Sequence, residues 1–235
     1  MKEQFIRTAA LLGEDSIRKL QTAHVAVFGI GGVGSYTAEA LARAGVGSIT
    51  VVDADTVEPS NINRQLYALQ STVGERKTAV AARRIKDINS EAEVYEMPAF
   101  FDKESLSRFD FSKYDYVVDA IDTVRSKLLL IKTASSTGVP IISAMGAGNK
   151  LDATAFKVAD IYKTKVCPLA RIIRSECKKL GIRSLKTVYS EEPPVSAAVT
   201  DGSGRNAPAS APFVPPVMGF IIAGEVIKDI IGYGK

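Results

Sequence analysis

Short unbroken apolar runs alternate along this chain with longer stretches in which apolar positions recur at helical spacing. Residues 25–30 are the first such run. They turn through Gly29, Gly31, Gly32 and Gly34 into the small, helix-favouring residues 35–44, which predicts a strand, a glycine turn and a helix. Gly45 and Gly47 end that helix, and the β-branched run 49–52 delivers Asp53 at its carboxyl end. The pattern then repeats. Residues 67–74 read as a connection, 75–89 as a helix with Lys77 in its first turn, 94–100 as a strand and 102–108 as a short helix. Residues 114–121 read as a buried strand ending in Asp122 and Thr123, 124–136 as a helix, and 139–143 as a fifth strand leading to a second glycine turn at Gly146 and Gly148.

Alternating units of this kind predict an α/β fold, a mostly parallel sheet with helices on both faces that binds its ligand at the strand carboxyl ends. Before the first strand, residues 4–21 carry apolar positions at near-helical spacing with Gly13 as a break, which predicts a two-helix arm over 1–23. Beyond Lys150 the character changes: 151–161 and 187–190 read as strands, 168–180 as a helix, 196–212 as a small, glycine- and proline-rich loop, and 217–231 as a closing helix. The expected organisation is one domain over 1–235, with the arm, a nucleotide-binding core at 24–150 and an extension at 151–235.

Composition narrows the class. With 235 residues, 46% of them apolar, and a mean hydropathy of +0.07, the chain suits a soluble protein with a full core. A net charge of +4 and a pI near 9.0 permit a nucleic-acid partner without demanding one. The charge is concentrated: residues 163–186 hold eight Lys and Arg against Glu176 alone, either a solvated face or an RNA-contacting patch. Cys167 and Cys177 lie ten apart with no CxxC, so one chain supplies neither a disulfide framework nor a four-ligand zinc knot, and the cytoplasm is the default compartment. The N-terminus, MKEQFIRTAALLGED, has acids and no long apolar core, and does not read as a signal peptide. Glu225, Lys228 and Asp229 interrupt the apolar C-terminus, which reads as a packed helix and gives no reason to expect a membrane.

The glycine spacing has a mechanical reading: a tight turn, a close approach of backbone to phosphate, and a close helix–strand contact. Helix N–H groups would face an anion, and Asp53 could take the ribose hydroxyls. A dehydrogenase needs little beyond that carboxylate, yet this chain continues DADTVEPSNINRQ, placing Asp55, Asn61, Asn63 and Arg64 just past the strand end. Lys77, disfavoured by the dipole at a helix start, is explained by a phosphate partner. Asp122, at the mouth of a parallel sheet, suits magnesium held through oxygen ligands or, alternatively, a helix cap. Arg7, taken alone, is a solvated charge. The only histidine, His24, lies before the first strand.

This set resembles the ubiquitin-activating-enzyme superfamily, whose bacterial members adenylate carboxylates with ATP and magnesium on a Rossmann-like sheet. Within it the chain is most similar to the tRNA threonylcarbamoyladenosine dehydratases. GIGGVGSYTAEALARAGVGSITVVDADTV, SNINRQ, TVGERK and DAIDTVRSK cover the nucleotide site, while KTKVCPLARIIRSECKKLGI, KTVYSEEPP and FVPPVMGFIIAGEVIKDIIG carry the likeness onward. The resemblance implies ATP-dependent cyclisation of the threonylcarbamoyl group on the adenosine beside the anticodon of tRNA. By residue-to-residue carry-over, Gly29, Gly31, Gly32 and Gly34 hold the nucleotide, Asp53 the ribose, and Asn61, Arg64 and Lys77 the phosphates. Asp122 holds magnesium, Arg7 arrives from the second subunit of a homodimer, and 196–212 is a mobile crossover loop, for which a plain surface linker is an equal alternative.

The sulfur-transfer relatives generally carry two CxxC zinc pairs, so zinc is not expected here. A monovalent-cation site has no readable signature, and a cysteine desulfurase or sulfur-acceptor partner, associated with some relatives, stays open. An adenylyltransferase for a small protein ending in Gly-Gly and a non-catalytic nucleotide-binding scaffold remain as alternatives, with a redox enzyme more distant. Whether ATP would be cleaved to AMP or ADP is not legible, since the same phosphate contacts serve either.

Overall fold

The computed structural model describes residues 2–196, 198–200 and 206–234. Seven strands form one sheet: β1 (His24–Phe28), β2 (Ser48–Val52), β3 (Glu93–Met97), β4 (Tyr116–Asp119), β5 (Ile141–Ala144), β6 (Phe156–Asp160) and β7 (Lys186–Ser190). Their order is β3-β2-β1-β4-β5-β7-β6, and only β6 runs antiparallel to its neighbour. The order reverses beside β1, so the carboxyl ends of β1 and β4 diverge into the crevice where such sheets bind ligands.

Alternation along the strands builds two cores. Val25 and Val27 of β1 pack with Ile49 and Val51 on one face, whereas Ala26 and Phe28 join Val117 and Phe101 on the other. The first face is covered by α2 (Glu14–Thr22), α3 (Gly34–Ala44), α4 (Lys77–Ile88) and α7 (Val214–Ile231); the second by α5 (Val124–Thr137) and α6 (Pro168–Lys179). Helix α7 begins three residues before the expected 217, because Pro215 and Pro216 fit its first turn, where no intrahelical N–H bond is needed. Among the described residues no helix is long and apolar enough to cross a membrane.

Two expected elements come out shorter. The strand expected at 94–100 ends at Met97 because it is the sheet's edge, where Phe100 stays exposed and the Ala99 N–H turns back to the Met97 carbonyl at 2.8 Å. Residues 102–108 contain only a 3₁₀ turn, Leu106–Arg108. The stretch 196–212, expected to be either a plain linker or the mobile crossover loop that the resemblance implies, includes residues 197 and 201–205, which lie outside the described residues. Of the remainder, β8 (Ala198–Thr200) and β9 (Asn206–Pro208) pair antiparallel.

The arm, with α1 (Ile6–Leu12) ahead of α2, docks at the amino ends of the strands. Phe5 is buried against Gly45, and the Gln4 amide donates to the Ile88 carbonyl at 3.3 Å.

Helix α3 is fastened to α4 through Glu39, whose buried carboxylate accepts from Arg43 (2.6 Å) and Arg84 (3.0 Å). Burial pushes that carboxyl up, but the two guanidiniums override it and hold it below its ordinary value. A depressed folded-state value means the stabilisation is present above the usual carboxylate range and is lost as pH falls through it. Glu39→Gln is therefore expected to lower unfolding free energy at neutral pH by about 1 kcal/mol after solvent screening of the arginines. The deficit should shrink on acidification in denaturant titrations at a series of pH values.

Candidate active site

The glycine turn is set by hard contacts. Gly29 adopts φ +81° and donates its N–H to the Val52 carbonyl at 2.8 Å; a Cβ there would lie 2.7 Å from the Ala120 carbonyl oxygen. At Gly34 a Cβ would sit 1.8 Å from the Gly29 carbonyl oxygen, so only glycine lets α3 start this close to β1. Gly31 differs, since a Cβ there would make ordinary 3.7 Å contact with the Gln65 amide. Gly34→Ala is expected to cost at least about 2 kcal/mol of stability and to remove nucleotide binding. Gly31→Ala should fold within about 0.5 kcal/mol of the parent. Thermal melts with and without ATP separate the two.

No side chain caps α3, so its N-terminal dipole is open to an anion. Asp53 stands beside the turn. Its Oδ2 accepts the Ile30 N–H at 2.9 Å and its Oδ1 the Asp55 N–H at 2.9 Å, which fixes the carboxylate while leaving lone pairs for a further donor. Burial raises the Asp53 carboxyl above its ordinary value, against the pull of Lys77 and these two amides.

Lys77 is the first residue of α4 and is buried, with its ammonium 2.8 Å from Asp55 Oδ2 and 3.9 Å from Asp53 Oδ1. The placement is secured by backbone: the Lys77 N–H donates to the Asp55 carbonyl (3.1 Å), and Val57 donates to the Glu75 carbonyl (2.8 Å). A lysine held against the helix dipole in this way is kept by its two carboxylates. Asp55, to which sequence reasoning attached no separate role, is what aims it.

Residues 61–65 lie over the turn. The Arg64 stem would touch a Cβ on Gly32 at 3.4 Å, and its guanidinium donates to the Ser60 carbonyl (3.0 Å) and Asn63 Oδ1 (2.8 Å). Burial lowers the Arg64 value while the negative charge of Asp122 raises it, so those two side chains face one another electrostatically. Asn61 is buried and engaged with its own turn, its Oδ1 accepting the Glu58 N–H at 3.3 Å. Asp122 is exposed just past β4; the residue at the N-cap of α5 is Thr123, and no side chain caps that helix. Asn63 reaches the Ser210 carbonyl (3.0 Å), and Asn149, at φ +58°, exchanges hydrogen bonds with Ala209, so residues 209–210 bridge from the second glycine turn to the 61–64 segment.

Gly29 to Gly34, Asp53, Asn61, Arg64, Lys77 and Asp122 thus converge at the carboxyl ends of β1, β2 and β4. Arg7 does not join them. It is exposed on α1, makes no ion pair among the described residues, and belongs to the arm at the opposite ends of the strands.

Beneath the site is a cluster that motif reading passed over. Asp119 and Lys127 are fully buried 2.8 Å apart; Lys127 also donates to the Ala144 carbonyl at 3.0 Å, and Ser143 donates to Asp119. The two aspartates of DAID therefore divide, Asp119 tying β4 to α5 and β5 while Asp122 reaches the surface.

Chemically, the site gathers two cations, Lys77 and Arg64, an uncapped helix N-terminus and the Asp53 carboxylate at the strand ends, which suits binding and polarising a nucleoside triphosphate. A profile of the ThiF family matches residues 4–235. The chain is 41% identical to the tRNA threonylcarbamoyladenosine dehydratase of Bacillus subtilis (strain 168), over 98% of this chain and 96% of that one. This chain belongs to the ThiF family, among the tRNA threonylcarbamoyladenosine dehydratases. Its fold superimposes on the Escherichia coli tRNA N6-threonylcarbamoyladenosine dehydratase, TcdA, crystallised in complex with ATP, with a TM-score of 0.89, 36% identity and coverage of 98% and 94% of the two chains. Similarity to a sulfur carrier protein adenylyltransferase of Thermus thermophilus is lower, 29% over 95% of this chain and 75% of that one. Membership of the dehydratase group agrees with the resemblance carried by KTKVCPLARIIRSECKKLGI and the C-terminal segment.

Proposed function

We propose that this protein dehydrates threonylcarbamoyladenosine in tRNA, using ATP to activate the threonyl carboxylate so that the neighbouring carbamoyl group closes a ring. A free carboxylate is a poor electrophile because oxide or hydroxide would have to leave; transfer of a phosphorus group makes that oxygen part of a stable leaving group. Attacking and attacked groups share one modified base, so proximity supplies the effective concentration and no enzyme nucleophile is called for. The observation that carries the reading is the buried Lys77, held by Asp53 and Asp55 beside the glycine turn, with the Arg64 stem lying over Gly32 of the same turn.

Within this reading, the turn from Gly29 to Gly34 and the start of α3 receive phosphates, Asp53 takes the ribose hydroxyls, and Lys77 and Arg64 stabilise charge moving toward the leaving phosphate. Asn61 supports the segment that carries Arg64. Among the described residues no group of three His, Cys, Asp or Glu side chains could cage a metal. A single exposed carboxylate, Asp122, fits magnesium that arrives on the nucleotide, since that ion is held by one or two carboxylates plus phosphates and water. When bound, magnesium would add positive charge at the phosphates.

The reading also includes a homodimer. Arg7 stands about one strand length, ~17 Å, from its own site, because the arm docks at the far end of five-residue strands. Leu11, one turn on from Arg7 along the same side of α1, is 83% exposed, so the side of α1 that carries Arg7 is open for a second copy to cover, bringing Arg7 to the other copy's phosphates. We place the protein in the cytoplasm, consistent with Cys167 and Cys177 being free and buried. A sulfur-relay partner has no support in the geometry.

The test is to incubate the protein with ATP, magnesium and tRNA bearing threonylcarbamoyladenosine and then weigh the nucleosides. Loss of one water from that nucleoside is expected; an unchanged mass from folded, ATP-binding protein would reject the reaction.

A further inference from the structure

Charge is distributed unevenly over this surface. Residues 163–186 carry a net +7 against +4 for the whole chain, which leaves the other residues at −3. The structure divides the eight cations of that interval by role. Lys186 turns inward to Glu225 (2.7 Å) and Asp229 (3.0 Å), Arg174 donates to the Thr164 carbonyl (3.0 Å) and hydroxyl (2.6 Å), and Lys179 pairs with Glu176 (2.6 Å). The remaining five, Lys163, Lys165, Arg171, Lys178 and Arg183, are exposed and form no ion pair among the described residues.

Their placement follows from how α6 is packed. Ala170, Ile173 and Cys177 are its buried face, so Arg171 and Lys178 project from the opposite side. Its N-terminal end lies on the site side of the sheet: Cys167, the N-cap residue, has its sulfur 3.7 Å from where a Cβ on Gly146 would be, in the glycine turn after β5. Lys165 acts electrostatically on Glu191, just past the carboxyl end of β7. The basic face therefore starts beside the crevice and descends the length of α6, about 18 Å at 1.5 Å per residue over twelve residues.

The segment leading into it is fixed in shape. Val166 holds φ +62°, a region that β-branched residues rarely enter, closed by the Cys167 N–H on the Lys165 carbonyl at 2.6 Å. Val166 is 54% exposed, and on the helix Ile172 is 46% exposed, so apolar side chains alternate with the cations. A surface of that kind suits a phosphate backbone with nucleosides turned toward the protein.

We propose that Lys165, Arg171 and Lys178, on the exposed face of α6 and the turn before it, are the surface along which the tRNA phosphate backbone lies, delivering the modified adenosine to the carboxyl ends of β4 and β5. This rests on the reading of tRNA as substrate, and it assigns contacts that motif resemblance does not. The cations lie outside the nucleotide site, so their loss should weaken RNA binding and spare ATP.

The experiment compares the full-length protein with the triple variant Lys165→Ser, Arg171→Ser, Lys178→Ser, and with Lys113→Ser as an exposed control near the amino end of β4. Affinity for tRNA bearing threonylcarbamoyladenosine is measured across a salt series, with ATP affinity and melting temperature alongside. Three lost phosphate contacts should reduce the slope of log affinity against log salt by about 2–3 and weaken tRNA binding at least tenfold or so at physiological salt, with ATP affinity and melting unchanged. A triple variant matching the parent in slope and affinity overturns the proposal, as does an equal loss in the Lys113 control. Binding is read without turnover: a parent that binds tRNA through these residues yet releases no water from it faults the reaction and supports the surface.

Discussion

Lys77→Ala is expected to reduce kcat/KM for ATP-dependent dehydration by about 10²–10³, the usual cost of removing one preorganised charge from a site where negative charge develops. The ammonium is buried and already within 2.8 Å of Asp55 and 3.9 Å of Asp53, so it needs little reorganisation to meet a phosphate. The substitution has a second effect. It leaves Asp53, whose carboxyl burial already raises, without its nearest counter-charge, so that group should bind a proton still more readily. Lys77→Arg should not rescue turnover, because a planar fork cannot replace a point charge seated between two carboxylates. Steady-state rates at saturating tRNA check the loss. Titration of tRNA alone should return the parent's affinity, since Lys77 lies apart from the α6 face.

The largest stability effect is expected from Lys127→Met. The pair formed by Lys127 and Asp119 is wholly excluded from water, and deleting the cation strands a carboxylate whose remaining donors are Ser143 and the Ile121 N–H. Breaking such a pair costs about 3–5 kcal/mol, although replacing both members is often nearly neutral. For a chain of this size that loss corresponds to a melting temperature roughly 10 °C lower. Burial raises the Asp119 carboxyl, so in the variant the penalty should ease as pH falls and the group takes up a proton. Asp119→Asn combined with Lys127→Met should recover most of the loss. Because the pair fastens β4 to α5 and β5, the single variant should also loosen Asp122 and the glycine turn after β5, and weaken ATP binding beyond what global unfolding explains. Melts of the single and double variants from pH 5 to 8 would decide this.

The parts of this molecule that were legible in its sequence are those whose physics is local. The runs at 25–30 and 49–52 had to be strands because β-branched residues buried on both faces leave little else, and Gly29 and Gly34 announced a turn that the structure requires to within an atom's width. Asp53, Arg64 and Lys77 were legible because each stands at a fixed offset from a strand or helix end. What was hidden depends on the third dimension. Nothing in 151–161 signals that only residues 156–160 form a strand, running antiparallel at the sheet edge, because that depends on pairing with β7. Asp55 and Lys127 looked like ordinary charges. Their roles come from partners 22 and 8 residues away, and Lys127 reads as surface until Ser143 and Asp119 are brought around it. The basic interval was visible as a count, but which of its cations are left exposed and without an ion pair depends on partners such as Thr164, Glu176, Glu225 and Asp229 that the fold brings to the others.

In the proposed reaction the threonyl carboxylate loses one of its oxygens to phosphorus. That transfer is tested most directly by preparing tRNA whose threonylcarbamoyl carboxylate carries heavy oxygen, allowing one turnover with ATP, and weighing the phosphorus products. One heavy oxygen is expected in the AMP or phosphate released for each nucleoside cyclised. Cyclised nucleoside with the label found only in water would contradict it.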